Sequence, residues 1–528
     1  MKTKTALPFI LLAAALLPFR APAVNVLTQH NDLSRTGANT AETILTPASV
    51  TNGFAKLFTY NLDGQVYAQP LYIENMGIAG GVHDVVFVCT ESNSVYALDA
   101  DTPSVTYWHT NLGTPYGSTC SDLTPVVGIT GTPVIDLSNN VLYVDTKLAA
   151  GPAQELHALD LDTGSEKFGG PVTIAASQFS ATTEHQRPGL LLLNGVVYVS
   201  FGSHCDNGTY HGFIMGYNAT NLSQVCVFNT TPTGSQAAIW SGGMAPAADT
   251  NGNIYVMTGN GTFDGITNYG ESMIKLNGKL QVVDYATPST WSDLNGGDKD
   301  FGSGGPVLIP PHYVTGIGKD GNLCLADINN MGHVGNFVQD FSVATLGDTV
   351  GKSPVYWQGP KGVQYVYVLH SDSPTKSFQF TGSNYVTTAL GTAAFSHNDR
   401  CGGLSLSANG TTNGVLWEIG SASNLRAYDA VNFPKVLWTG SVGTYAKMTC
   451  PTIANGRVYV GTASNLGVWG LTNHLYMQTA AINPTLYWAS GAILLQSTNV
   501  LGPWTTNTAA SPYLLSPTNT QMYYRLLL

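Results

Sequence analysis

Two aspartates flank a lysine in Asp298-Lys299-Asp300-Phe301, and a glycine-rich turn leads from there into a hairpin whose tip reads Lys319-Asp320-Gly321-Asn322. Carboxylates accept protons and ligate hard cations, so two of them beside a lysine are residues that could do chemistry. Asn260 in Thr-Gly-Asn-Gly and Asp206 in Ser-His-Cys-Asp-Asn-Gly are further polar residues of glycine-containing turns. Each polar residue also has a plain structural reading. Asp298 and Asp300 fit caps on a loop, Asn260 a turn, and Lys319 a solvated position before an Asp-Gly turn. His204 and His211 lie around Cys205 as possible metal ligands, but no third matching ligand accompanies them. The chain carries no G-x-S-x-G elbow, P-loop or H-E-x-x-H motif, so hydrolase, kinase and zinc-peptidase readings lack support.

What would position these residues is a repeat. At a spacing of about 40 to 50 residues one unit recurs: a Gly/Pro-rich start, an apolar strand, a hairpin, another strand and often an A-x-D ending. VYAQPLYI, VVFVCT, SVYALDAD and VTYWHTNL form the first copy, and GITGTPVID to KFGGPVTI the second. About eight copies follow one another, which predicts an all-β, eight-bladed propeller. The last copy supplies three strands before the pattern fails near Thr472, and AKLFTYNL (Ala55 to Leu62) matches the missing outer strand, so the N-terminal strand is expected to close the ring. Asp206, Asn260, Asp298 and Lys319 fall in corresponding loops of blades three to five, which a propeller turns towards one mouth.

Composition agrees. Of 528 residues 43% are hydrophobic and 10% charged, with 58 glycines and 26 tyrosines, as in a turn-dense β protein. The net charge of -11 leaves no broad basic face for nucleic acid. Residues 1–23 place Lys2 and Lys4 before an apolar run and an Ala-Pro-Ala cleavage signal, so the mature chain is expected to be exported, secreted or periplasmic, without a membrane span. Seven cysteines show no C-x-x-C pair; Cys120–Cys205 and Cys401–Cys450 are the expected disulfides, and Cys89 and Cys324 read as core residues. The expected domains are the propeller over 24–474 and a small β-sandwich-like module over 475–528.

ALDADTPSVTYW (Ala97 to Trp108), ALDLDTGSEKF (Ala158 to Phe168) and AYDAVNFPKVLW (Ala427 to Trp438) resemble the A-x-D-x-x-T-G-x-x-x-W blade motif of quinoprotein dehydrogenases, the pyrroloquinoline quinone (PQQ) class. In that motif Asp would cap a turn, Gly take a positive φ and Trp stack on the next blade. HNDLSRTGANT, GITGTPVID, GSHCDNGTYHGF, TGNGTF and DKDFGSGGPVL occur in the order shown by a group of exported PQQ-like repeat proteins. The resemblance implies PQQ and calcium on the axis. Asn260, Asp298 and Asp206, with Asn207 as the alternative to Asp206, would ligate calcium, Asp298 would serve as base with Asp300 beside it as a second catalytic acid, and Lys319 with Trp240 would lie at the quinone.

The sequence departs from that pattern at both flat faces of the quinone. Gly243 or Met244 stands where the tryptophan platform belongs, and Cys120-Ser121 replaces the vicinal cysteine pair. Two readings result. One is a binding or scaffold propeller that takes a small molecule, glycan or envelope protein at its mouth. The other is a PQQ- and calcium-dependent dehydrogenase acting on an alcohol or sugar. His30, Asp32, Arg35 and Asn39 form a polar arm before the closing strand, expected to be pinned across the ring.

Overall fold

A computed structural model describes residues 25–118, 120, 123–344, 352–371, 373–397, 402–420, 423–472, 475–478, 484–488, 492–515 and 521–527. The expected leader over 1–23 and Cys401 of the expected Cys401–Cys450 disulfide lie outside these residues.

Alternating Val, Tyr, Leu and Ile with Asn-Gly and Asp-Gly turns produce four-stranded antiparallel meanders. Blade 1 runs through Leu71–Ile78, Gly81–Cys89, Ser94–Asp99 and Thr106–Asn111. Seven more sheets follow at 134–173, 184–229, 247–287, 307–342, 355–396, 404–441 and 452–471, making eight among the described residues. Phe54–Asn61 pairs antiparallel with Asn465–Leu471, so the N-terminal strand completes the last blade as expected. Seven buried apolar clusters link consecutive sheets, and the one containing Val86 and Leu142 also holds Tyr459 and Leu466 of blade 8. The ring therefore closes by side-chain packing as well as by backbone pairing.

The blade motif works as its residue types demand. Asp99, Asp160 and Asp429 each accept backbone N–H groups two and three residues onward, closing the turn before the outer strand. Trp108 Nε1 donates to Leu161 O of blade 2 at 2.8 Å. Gly164 has φ +69°, and a Cβ there would sit 2.5 Å from the Trp108 ring, so glycine is required twice over.

The arm is a hoop. Val26 bonds Tyr72 of blade 1. Leu27, Leu33, Ser34, Thr36 and Gly37 then give their carbonyls to N–H groups of Ile135, Ala248, Leu308, Tyr356 and Leu406, the innermost strands of blades 2, 4, 5, 6 and 7. Asn39 Nδ2 reaches Ile453 O of blade 8 at 2.7 Å. Fully buried Arg35 fastens the hoop: Nε donates to Pro246 O at 2.8 Å, and Nη1 to Thr28 Oγ1 at 2.7 Å and Gln29 O at 2.8 Å. His30 Nε2 lies 3.1 Å from Leu404 O. Edge groups on the axis are thus satisfied by the chain's own N-terminus.

Beyond Tyr476 two three-stranded sheets form, one including Thr485–Tyr487 and the other Ile493–Ser497 and Tyr523–Leu527. Leu486, Trp488 and Leu494 make their small core. No described helix is long and apolar enough to cross a membrane.

Candidate functional site

Asp300 is the hub of the axial mouth. The loop from blade 4 to blade 5 ends in a tight turn, Phe301–Ser303, that fixes its carboxylate inward with 4% of the residue exposed. Oδ1 accepts from Trp240 Nε1 at 3.0 Å and from the Asn260 backbone N–H at 3.0 Å. Oδ2 pairs with Lys319 Nζ at 2.6 Å. Three blade loops far apart in sequence therefore meet on one carboxylate. Gly259 makes this possible, because a Cβ at that position would lie 2.1 Å from Asp300 Oδ1.

Lys319 leaves the second strand of blade 5 at the KDGN hairpin and touches both predicted acids. Its ammonium is 3.6 Å from Asp298 Oδ2 and donates to Asp298 O at 3.2 Å. Burial alone would lower its pKa, but Asp300 and then Asp298 hold it above the ordinary lysine value. The two acids are not equivalent. Asp298 has 69% of its side chain exposed and stands on the rim with φ +54°, whereas Asp300 is interior.

Asp206 belongs to the same neighbourhood. It follows the second strand of blade 3, its N–H donates to Ser203 Oγ at 2.9 Å, and Tyr210 OH donates to its Oδ1. Burial raises its pKa and Asp300 and Asp298 raise it further, while Tyr210 and Lys319 oppose the shift. Asn260 gives only its backbone to Asp300; its side-chain Oδ1 is buried and accepts no hydrogen bond. A buried carbonyl oxygen without a donor is costly, and a cation is one species that would satisfy it.

Four residues of this region escaped sequence reasoning. Tyr210 holds Asp206 and meets Trp240 edge-to-face with ring centroids 6.3 Å apart. Arg187 places its guanidinium 5.2 Å from the Trp240 ring centroid. Asn295 Oδ1 accepts from Gly261 N at 2.6 Å. Glu271, fully buried, accepts the Phe301 N–H at 2.6 Å and so fixes the turn next to Asp300; burial, and then Asp300, push its carboxyl up to about 9. An acid leading an apolar strand in a chain this poor in charge was the available signal for Glu271.

The groups fit a cofactor unevenly. Asp206 and Asn260 Oδ1 remain as oxygen donors for calcium, but the oxygens of Asp298 and Asp300 already face the Lys319 ammonium. Among the described residues no three His, Cys, Asp or Glu side chains come together as a metal cage. His211 Nδ1 bonds Thr231 Oγ1 at 3.0 Å, and His204 packs edge-to-face on Tyr116 and His185. Among the described residues, neither Trp240 nor Met244 offers a free flat cover for a quinone. Trp240 is tied through Nε1 to Asp300 and carries Arg187 over its ring, and buried Met244 is packed against Gln29, whose Nε2 lies 2.8 Å from its sulfur. Cys120 is bonded to Cys205, as expected, with Cα atoms 6.1 Å apart, so it ties two mouth loops together.

No protein-family model and no curated protein matches this chain. Solved structures do resemble it. A quinohemoprotein alcohol dehydrogenase from Comamonas testosteroni superposes with a TM-score of 0.63 at 14% identity over 85% of this chain and 80% of its own. A europium-containing methanol dehydrogenase gives 0.61 at 13% over 85% and 98%. BamB from Moraxella catarrhalis gives 0.50 at 15% over 79% and 100%. At these identities the likeness establishes the fold, and the chain is a β-propeller of the kind found in PQQ dehydrogenases and in BamB.

Proposed function

We propose that this chain is an exported binding propeller whose axial mouth holds a small hydroxyl-rich ligand, such as a polyol or the end of a glycan. The observation that carries this reading is Lys319 between Asp298 and Asp300. The ammonium offsets one of the two carboxylate charges, so the mouth offers donors and acceptors side by side to a hydroxyl-bearing ligand. Vicinal hydroxyls, each both donor and acceptor, match Asp206, Asn260 Oδ1, Asp298 and Lys319. That neither Trp240 nor Met244 offers a free flat cover for a quinone points the same way. In this reading the propeller over 24–474 is the binding body, and 475–528 is a separate module.

A second reading, a PQQ- and calcium-dependent dehydrogenase, is favoured by the undonated Asn260 Oδ1. The names of solved propellers of this shape also support it, since they include alcohol and methanol dehydrogenases, one containing the hard cation europium. When bound, PQQ would supply the two-electron acceptor. Asp206 and Asn260 would hold calcium, Lys319 would steady an anionic oxygen, and Asp300, the interior acid, would take the substrate proton in preference to Asp298.

One titration separates the readings. Purified mature protein is mixed with PQQ and calcium, then with glycerol, aldoses and short glycans, and followed by melting temperature, absorbance and dye reduction. The binding reading expects stabilisation by a polyol or glycan, lost in Lys319→Ala, and no spectral change with PQQ. PQQ-dependent dye reduction overturns it.

A further inference from the structure

A second site shares no lining residue with the mouth and lies where the C-terminal sheets meet the seam between blades 8 and 1. The cleft there encloses about 500 Å³, the size of ordinary small-ligand sites and large enough for one or two sugar rings. One wall is apolar, with Phe58 of the closing strand beside Tyr487 and Trp488. Polar groups share the lining: Tyr487 lies near Thr102 and Asp101, and Arg457 of blade 8 reaches across the seam to Asp101 of blade 1, Nη2 to Oδ1 at 3.1 Å, with 5% and 10% of the side chains exposed. Asp101 is forced up to about 7 by burial first, with Arg457 opposing and Asp84 and Asp99 reinforcing. Lys56 stands exposed at the rim with its ammonium 5.5 Å from the Trp469 ring centroid.

We infer that this cleft is a saccharide-binding site for a neutral mono- or disaccharide unit, built jointly by the propeller seam and the C-terminal sheets. A plain packing seam buries apolar area and excludes space this large. Here the space is kept open beside a buried ion pair. Arg457 and Asp101, with Asp84 and Asp99 near, give the cleft a guanidinium and carboxyl groups as hydrogen-bond partners. A pyranose has the complementary form: a C–H face for the aromatic wall and an edge of hydroxyls for an acid and a guanidinium. The site is independent of the reading proposed for the axial mouth.

Full-length mature protein is titrated calorimetrically with cellobiose, maltose, laminaribiose and N,N′-diacetylchitobiose. At least one is expected to bind in the millimolar range or tighter. Trp488→Leu, which keeps apolar bulk, is expected to weaken it at least tenfold, while Gly278→Ala, in a turn of blade 4 where the added methyl meets nothing nearer than 3.6 Å, leaves it within twofold. Should Trp488→Leu disturb the small core, Ala510→Trp fills the cleft from its rim and is expected to abolish binding with the melting temperature retained. Failure of all four disaccharides to bind, or undiminished binding in Ala510→Trp, would each overturn the inference.

Discussion

Lys319 Nζ stands 2.6 Å from Asp300 Oδ2, and this pair joins the loop that enters blade 5 to the hairpin that leaves its second strand. Both side chains are mostly buried, with 15% and 5% exposed, so neither partner can turn to water when the other is removed. Asp300→Ala leaves the ammonium only Asp298, on the exposed rim, and also deprives Trp240 Nε1 and the Asn260 N–H of their acceptor. It is expected to cost about 3 to 5 kcal/mol, the range for breaking a buried pair. Replacing both residues by apolar groups, Asp300→Leu with Lys319→Met, is expected to recover part of that loss. Urea unfolding of the single and double variants checks it.

Gly259→Ala tests the same hub from the backbone side. The added methyl would meet Asp300 Oδ1 at 2.1 Å and Trp240 Cδ1 at 2.8 Å, and neither has room to yield without giving up its hydrogen bond. A loss of about 1 to 3 kcal/mol is expected from overpacking, with weakened ligand binding at the mouth. Gly278→Ala meets nothing nearer than 3.6 Å and serves as the neutral control. Equal melting temperatures for the two variants would contradict the hub.

Stability should fall between pH 6.5 and 8. Glu271 is held at about 9, and Glu91 and Asp320 at about 7, each chiefly by burial. Their folded pKa values lie above the unfolded ones, so the folded state keeps protons that the unfolded state gives up, and raising pH favours unfolding. The histidines act in the other direction and mostly at lower pH: burial holds His30 and His204 at about 4, so only about 0.4 kcal/mol from each is still to be gained above pH 6.5, where the unfolded imidazole finishes titrating. Glu271 alone contributes about 2 kcal/mol across this window, at 1.36 kcal/mol for each unit. Melting temperature should therefore drop from pH 6.5 to 8, and Glu271→Gln should remove much of the slope.

The sequence carried the ring more readily than the site. Blade boundaries follow from strand alternation, Asn-Gly turns and the Asp-Gly-Trp motif, all local signals, and the closing strand from Phe54 was legible because one outer strand was missing near Thr472. The side of the ring that gathers Asp206, Asn260, Asp298 and Lys319 was equally legible from loop order. Which acid does the work was not. Asp298 and Asp300 are two residues apart, and only the turn at Phe301–Ser303, held by Glu271 from another strand, sends one inward and leaves the other on the rim. Arg187 over Trp240 and the cleft beside Tyr487 arise from contacts between distant segments, to which no periodicity points.

Arg35 allows the hoop to be tested on its own. Its guanidinium is wholly buried and bonds Pro246 O, Gln29 O and Thr28 Oγ1 at once, so one side chain ties the arm to blade 4 and to itself. Arg35→Met keeps the stem but leaves those acceptors without this donor in a place water does not reach. At about 1 to 3 kcal/mol for each unsatisfied group, a total loss of at least about 3 kcal/mol is expected. Arg35→Lys should rescue little, because a single ammonium cannot reproduce the planar fork. If the hoop matters to the ring as a whole, Arg35→Met should also speed limited proteolysis within residues 25–53, before the closing strand is lost. A variant that melts like the parent and is cut no faster there would show that the arm merely lies against the inner strands and does not hold them.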